Sequence, residues 1–497
     1  MSFAVSPSPS MRRGPAYLQF GVEGSALIGA VAIVLSATST EPALTFAALG
    51  VLIVGAKLLW RPGEPPILFA AFFIQWLQAS LAVFRASFYG VDLATLYAGE
   101  FGAGDGIITA TWLSLFGLLI LAGGIRLALR GVGPAAFTEL ISEIRQCSLK
   151  KAFSSYCIAQ LVVFGIEAVT WVNPGLAQAL IALGNFKWII FFALAVIVFV
   201  QRRGYWLLAF ACIFEVVRGF LSFFADYKDV FLVLAIAFLT VRPKLNLRTA
   251  VVTSLIIGAV LVLSAAWSAV KGDYREFLNG GSGRQEILVT PAEQLERFSD
   301  LMLNKGLTHL SDGFDRLMRR IEYTFFFGRI VERVPSVVPH DDGAIWGGAV
   351  MHVLTPRLLF PDKPTLAADV QDTERYAGLR LTEQGGWQTE IPMGYMAESY
   401  IDFGSLGMFV PILLLGLLYG FQYRYAITRT RYMIFVFGAA PVLMMSAAKF
   451  ELGAAKILGG SLTSFAVFVV AFHVCAPYLH RILQQSSRRR IAEPRGA

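Results

Sequence analysis

The sequence predicts an all-α polytopic membrane protein of about 12 transmembrane helices, carrying one large, mostly helical and irregular periplasmic loop. Three observations predict it. Of 497 residues, 56% are hydrophobic and only 15% charged, with mean hydropathy +0.62; a soluble chain carries roughly a quarter charged residues. Apolar runs recur at the length a helix needs to cross a hydrocarbon core of roughly 30 Å. Lysine and arginine alternate between successive loops, as they do when they set membrane orientation.

The expected crossings, in order, are 17–38, 42–60, 66–88, 106–129, 153–172, 184–201, 205–224, 228–241, 249–269, 407–424, 431–448 and 457–480. The 228–241 run is short enough for a half-span or re-entrant piece. Asn173-Pro174-Gly175 marks a turn before a region, 174–201, that could hold one longer helix. The chain thereby divides into an N-terminal bundle (1–270, about nine helices), a large loop (271–404), C-terminal membrane helices (405–482, about three) and a basic tail (483–497).

Orientation follows from the basic residues. Arg12 and Arg13; Arg61; Arg126, Arg130, Arg145, Lys150 and Lys151; Arg202 and Arg203; Arg242, Lys244 and Arg248; Arg424, Arg429 and Arg431; and the tail Arg481, Arg488, Arg489 and Arg490 all fall on one side. The 89–105 loop on the other side holds only Asp92, Glu100 and Asp105. Both termini are therefore expected in the cytoplasm, with 271–404 outside it. The Met1–Arg13 start reads as the flank of the first crossing rather than a cleavable signal peptide, because further apolar runs follow at once. Between Phe137 and Ala152, Phe137, Leu140, Ile141 and Ile144 share a helical face opposite Glu139, Glu143 and Arg145. That pattern describes a helix lying along the inner membrane surface.

Composition also excludes functions. The net charge of +8 is no nucleic-acid signal, because the basic residues sit in short loops. The four cysteines, Cys147, Cys157, Cys212 and Cys475, all lie outside the large loop. A disulfide-stapled outer domain and an outward thiol nucleophile are excluded with them.

Within 271–404, Pro291–Asn304 and Phe314–Arg333 have helical periodicity, the second with an apolar stripe of Leu317, Met318, Ile321, Phe325 and Ile330 and with Arg316, Arg319, Arg320 and Glu322 on other faces. Pro335 and Pro339 end it. Gly343–Leu354 is apolar but too short to span. TPRLLFPDKP follows, its prolines forbidding continuous helix, and TEIPMGYMAESYIDFGSLG runs into the next crossing.

The most informative residues are cations on the side that the topology rule leaves poor in them. Arg85 ends the third crossing, Arg218 lies inside the seventh, Lys228 begins the eighth, and Lys271 and Arg275 follow the ninth. Lys449 and Lys456 occupy the last outer loop, and Arg357 and Lys363 the proline-framed stretch. Charges at membrane depth face a partner or a wet cavity, and the planar guanidinium fork suits phosphate. Local neutralisation is the plainer alternative for several: Glu215 with Arg218, Glu451 with Lys449 and Lys456, Asp226 and Asp229 with Lys228. Lys271 and Arg275 can also be interfacial snorkellers.

Among acids, Glu398, just before the tenth crossing, is a candidate general base with Asp402 one turn on; pairing that only holds the site together is the alternative. Glu390 and His352 are further candidates, and His309 and His340 are the other histidines of the loop. No metal-ligand spacing, nucleophile triad or glycine-rich phosphate loop occurs, so neither metal nor cofactor is expected.

Three features resemble the bacterial oligosaccharide repeat-unit polymerases, the O-antigen (Wzy-type) polymerases. One is TPRLLFPDKP (355–364), similar to a proline-arginine-phenylalanine-proline-lysine-proline signature in their outer loop. Another is IPMGYMAESYIDFGSLGMFVPILLLGLLYG (391–420); the third is Tyr274-Arg275 after an outward-going helix, preceded by GFLSFFADYKDVFLVL (219–234). An arginine-x10-glycine pattern described for some relatives occurs only as Arg375…Gly386, a match expected by chance among 46 glycines.

The resemblance implies a glycosyltransferase of polysaccharide biosynthesis working at the outer face of the inner membrane. It would move a glycan from its polyprenyl (undecaprenyl) diphosphate onto a new lipid-linked unit, making O-antigen, capsule or exopolysaccharide. By position it implies that Arg275, Arg357 and Lys363 contact the diphosphate and that Glu398 sits beside the acceptor. The expected partners are the polyprenyl-diphosphate-linked oligosaccharide, the lipid bilayer and a chain-length regulator or flippase. Such transfer needs charge stabilisation on the leaving oxygens and a proton acceptor for the attacking hydroxyl; fixed arginines supply the first without a metal. The rival readings are a ligase of the same superfamily and a transporter of lipid-linked sugar. Unequal halves, about nine crossings against three, count against the duplicated repeat usual in transporters.

Overall fold

The computed structural model describes residues 33–61, 64–98, 102–133, 137–172, 177–222, 227–241, 247–282, 287–355, 360, 363, 369–379, 392–429, 432–444 and 446–484. Among these the protein is all-helical. No strand forms, and the only β-type pairing is an isolated bridge between Cys147 and Gln484.

In chain order the helices are α1 (Pro42–Leu59), α2 (Ile67–Tyr89), α3 (Leu93–Ala98), α4 (Gly106–Ala128), α5 (Phe137–Arg145), α6 (Leu149–Val172), α7 (Ala177–Gly184), α8 (Lys187–Gln201), α9 (Tyr205–Phe220) and α10 (Lys228–Thr240). Then follow α11 (Leu247–Leu278), α12 (Pro291–Leu301), α13 (Leu310–Ile321), α14 (Thr324–Arg333), α15 (Ala344–Leu354), α16 (Asp369–Ala377), α17 (Tyr395–Gly407), α18 (Phe409–Arg429), α19 (Met433–Met444) and α20 (Ala454–Leu483).

Among the described residues eight helices are long and apolar enough to cross a membrane: 42–59, 67–89, 106–128, 149–169, 179–201, 251–278, 409–429 and 454–483. Each matches an expected crossing. Three more expected crossings are helices that fall short of spanning length: α9 with 16 residues, α10 with 13 and α19 with 12. The expected 17–38 crossing lies outside the described residues up to residue 32. Helix α19 contains Pro441, ends at Met444 and is followed by a short 3-10 turn at Ser446–Ala448.

Helix α8 is apolar on all sides, and Phe191 through Val198 are buried without exception. A helix of that kind belongs at the centre of a protein, and α6, α10 and α19 pack around it. Helices α4 and α18 cross where Gly124, Gly416 and Gly420 let the backbones meet: a Cβ on Gly124 would stand 2.7 Å from the Leu413 carbonyl, and one on Gly420 2.7 Å from that of Ile125. Small residues at a crossing allow such approach in membrane helices.

Helix α11 is the opposite case. Its first two thirds expose Val251, Leu255, Ile256, Ile257, Leu261 and Val262, and only its last third packs. An apolar surface of that extent on a membrane helix faces lipid.

The described helices of the 279–394 segment pack into the cores of the rest of the chain. Phe327, Ile330, Val334 and Trp346 belong to the same buried cluster as α4, α8 and α18, with α14 packed on α4 and α15 on α20. The expected single helix 314–333 is two helices, because Glu322 takes an extended conformation (φ −64°, ψ 126°) and turns the chain between α13 and α14. Similarly, the expected surface helix 137–152 is α5 followed, after a turn at Gln146–Ser148, by the start of α6.

Candidate functional site

An aromatic cluster builds the first part of the site. Phe220 at the end of α9 stacks on Tyr227 at 4.2 Å between ring centres and meets Trp267 of α11 at 5.5 Å and Phe298 of α12 at 4.4 Å. The Tyr274 hydroxyl donates to the Phe220 carbonyl at 3.3 Å, and the Tyr227 hydroxyl bonds Ser264 at 3.1 Å. Together these contacts fasten the α9–α10 corner to the upper part of α11. Lys228, next to Tyr227, is thereby carried to Lys271 and Arg275, which lie four residues apart on one face of α11.

Arg320 completes the group from α13. It lies within electrostatic range of Lys228, Lys271, Arg275 and Tyr227. Lys449 and Glu451, from the turn before α20, also reach Lys228. Glu451 is held by Gln78 of α2, whose Nε2 donates to Oε2 at 2.8 Å, while the Phe450 N–H donates to Gln78 Oε1 at 3.1 Å. Lys228, Arg320 and Lys449 are exposed, and Lys271 and Arg275 are half-buried. Surrounding protein nonetheless presses on Arg320 enough that burial holds its guanidinium below the usual range. Five cations gather there with Glu451 and Asp229, so the cluster carries an excess of positive charge and suits an anion.

The 395–404 block, the heart of one resembling motif, works as a docking hub. Glu398 accepts from the Ala454 N–H at 2.6 Å, capping α20. Asp402 accepts from the N–H groups of Ile345 and Trp346 at 3.1 and 2.8 Å, capping α15. A carboxylate on the exposed N–H groups of a helix start is favoured by both hydrogen bonds and dipole. Burial pushes Asp402 upward, against the pull of those backbone bonds. Tyr395 donates to Gln75 at 2.7 Å, Ser399 accepts from the Trp346 indole at 3.0 Å, and Tyr400 donates to the Val334 carbonyl at 3.0 Å. Gly404, at φ 68°, breaks the helix and aims the chain into α18.

Other expected site residues have separate partners. Arg85 is buried, pairs with Glu322 of the α13–α14 turn at 3.2 Å, and stands 5.4 Å from the centre of the Tyr97 ring. Tyr97 also donates to Glu322. Burial raises the Glu322 carboxyl to about 7 and the Tyr97 phenol well above its usual range. Arg85 thus anchors the loop helices to α2. Arg218 pairs with Glu167 of α6 and lies over the Phe164 ring at 5.1 Å; it does not pair with Glu215. Glu215 instead takes Lys187 at 2.6 Å, with Gln160 and Tyr156 donating at 2.5 and 3.1 Å. The structure therefore brings Lys228, Lys271 and Arg275 together and leaves Arg85 and Arg218 in other networks.

Lys363 donates to the His352 carbonyl at the end of α15. Arg357 and Glu390 lie outside the described residues. Among the described residues no group of three or more His, Cys, Asp or Glu is placed to hold a metal ion.

Sequence reasoning passed over two residues. Arg320 was one of three arginines on polar faces of an amphipathic helix, and nothing local sets it apart from Arg316 and Arg319. Lys187 opens an apolar run beside Trp188, and an ionisable group in such a position was the available signal.

Fold and site together define a protein that is all-helical among the described residues, with membrane-length helices and a cationic cluster at the C-terminal end of α11. Residues 135–428 match a family model described as a domain of unknown function, DUF8712, and the chain belongs to that family. No curated protein and no solved structure matches it.

Proposed function

We propose that this protein is an inner-membrane polymerase that joins polyprenyl-diphosphate-linked oligosaccharide repeat units into a surface polysaccharide by glycosyl transfer on the periplasmic face. In this reading the membrane is crossed about 12 times, with α9, α10 and α19 as short or broken crossings, both termini are cytoplasmic, and the 271–404 segment is periplasmic. The observation that carries the proposal is the meeting of Lys228, Lys271, Arg275 and Arg320 at the end of α11, where the apolar stretch of that helix stops. A lipid diphosphate has its charge at that depth and its hydrocarbon below.

The donor's diphosphate is held by Arg275, Arg320, Lys271 and Lys228, with Arg357 and Lys363 as further contacts by resemblance. The acceptor hydroxyl oxygen attacks the anomeric carbon, the bond from that carbon to the phosphate oxygen breaks, and the polyprenyl diphosphate leaves with the electron pair. The cations stabilise the negative charge growing on the leaving oxygen. The hydroxyl proton needs an acceptor, and Glu451 takes that role in this proposal because it shares the cluster with Lys228 and Arg320. Glu398, which the resemblance placed beside the acceptor, serves here through α20: its bond to Ala454 fixes the turn that carries Lys449 and Glu451.

The test uses the protein reconstituted in liposomes with lipid-linked repeat units isolated from a strain lacking the gene. Mass spectrometry should find products of two or more repeats. Units passed only to a different lipid acceptor would make the protein a ligase, and units moved between leaflets without extension would make it a transporter; either outcome overturns the proposal.

A further inference from the structure

Part of the α12–α13 hairpin turns apolar side chains outward. In a helix packed on a water-soluble protein, the apolar edge turns inward and the charges turn out. Helix α13 is strongly amphipathic, and Gly313, its one buried position, lies against α11. A Cβ on Gly313 would collide with the Ala265 carbonyl, and one on Gly306 would stand 3.1 Å from that of Ala266. Arg316 donates to the Ala269 carbonyl at 3.4 Å, and Arg320 on the same face joins the cationic cluster. Three apolar side chains of the hairpin face outward: Leu303 is 65% exposed, Leu307 47% and Phe314 48%, while Leu310, Leu317, Met318 and Ile321 are half-buried.

The depth of this contact decides what lies outside. The apolar stretch of α11 runs to Val270 and ends at Lys271. Ala265 lies six residues before Lys271, so the hairpin crosses α11 roughly 9 Å below the level of that lysine, at 1.5 Å per residue. Where α11 crosses a bilayer, that level is the hydrocarbon edge. Lower on the same helix, Leu261 and Val262 are exposed as well, so the outward surface of the hairpin continues the lipid-facing surface of α11. At the far side of the hairpin, Tyr89 bonds Asp315 at 3.3 Å, and Phe88 beside it is 85% exposed, as aromatic side chains are at a membrane interface.

We infer that the α12–α13 hairpin is a membrane-embedded element: it lies flat in the leaflet at the C-terminal end of α11, with Leu303, Leu307 and Phe314 in acyl chains. Helices of this kind settle about 5–10 Å into the boundary between headgroups and hydrocarbon. The cationic cluster is then at headgroup level, and Arg320 is presented to phosphates of lipids rather than to the aqueous compartment. This inference stands on the membrane reading of α11 and not on the polymerase reading.

The experiment is depth measurement by nitroxide labels in the full-length chain, with its four cysteines replaced by alanine, in phosphatidylcholine–phosphatidylglycerol nanodiscs. Single cysteines go in at Leu303, Leu307 and Phe314, with Leu255 as the lipid-facing control and Glu296, exposed on α12, as the aqueous one. Collision with oxygen should exceed collision with a water-soluble nickel chelate at 303, 307 and 314, as at 255, and the order should reverse at 296. Chelate access at 303, 307 and 314 equal to that at 296, with 255 still lipid-like, would overturn the inference. A scan of Leu310 and Leu317 labels guards against local distortion at one site; uniform water-like values there would overturn it too.

Discussion

At the scale of single residues, chemistry in this protein depends on which charges are already engaged. Arg85 and Arg218 looked like diphosphate ligands because they were cations on the wrong side of the topology rule, and each has found a carboxylate distant in sequence, Glu322 and Glu167. Sequence shows a charge but not its partner across 51 or 237 positions (218 − 167 and 322 − 85). Lys228, Lys271 and Arg275 were legible because their apolar flanks fixed their depth. Two residue-level outcomes follow from the pairings. Glu398→Ala removes the acceptor at the start of α20 and should cost about 1 kcal/mol of stability, while Glu398→Gln, which keeps an acceptor, should cost less; chemical unfolding in detergent checks the pair. If Glu398 instead abstracts a proton, the Gln variant will be folded and inactive. Glu322 holds its proton more tightly folded than unfolded, its carboxyl being raised to about 7 from 4.5. Its contribution to stability is therefore complete below about 4.5 and is lost as pH rises through about 7. The unfolding temperature of the wild type should fall across that window, and that of Glu322→Gln should show a smaller fall.

Individual elements show where hydropathy alone misjudged length. Apolar runs at 205–224, 228–241 and 431–448 read as crossings, but α9 stops at the Phe220–Tyr227 aromatic corner, α19 stops at Met444 before a 3-10 turn, and α10 fills a run that is itself short. The order of helices was legible, because among the described residues the apolar runs from residue 42 onward became helices. The break at Glu322 was hidden, since the apolar stripe continues through it and only the Arg85 and Tyr97 contacts explain a buried acid there. Close helix contact through glycine gives a test at this scale. Gly416→Leu at the α4–α18 crossing overpacks the backbone contact with Leu121 and should destabilise the protein by about 1–3 kcal/mol. Gly313→Leu should instead push α13 off α11 and carry Arg320 away, reducing transfer tenfold or more while the chain still inserts; unchanged transfer would separate α13 from the site.

For the whole molecule, one pattern organises the parts. A buried α8 centres the bundle, helices of the 279–394 segment join the same core, and α11 stands at the edge with most of its length apolar and exposed. The 395–404 block ties the ends of α15 and α20 together at the end of the bundle where the cations gather. An α-helical membrane class could be read from composition, whereas the convergence of α2, α10, α11, α13 and the 449–453 turn is a property of packing that no local pattern encodes. In the proposed reading, that convergence grips a diphosphate beside the lipid surface. Binding of polyprenyl diphosphate, against polyprenyl monophosphate, to the purified protein in nanodiscs by native mass spectrometry tests this most directly. The account predicts that the diphosphate binds more tightly, that Arg275→Ala and Arg320→Ala each weaken it about tenfold, the loss of one charge-assisted contact, and that Arg218→Ala does not. Equal retention of both lipids, unaffected by Arg275 and Arg320, would contradict it.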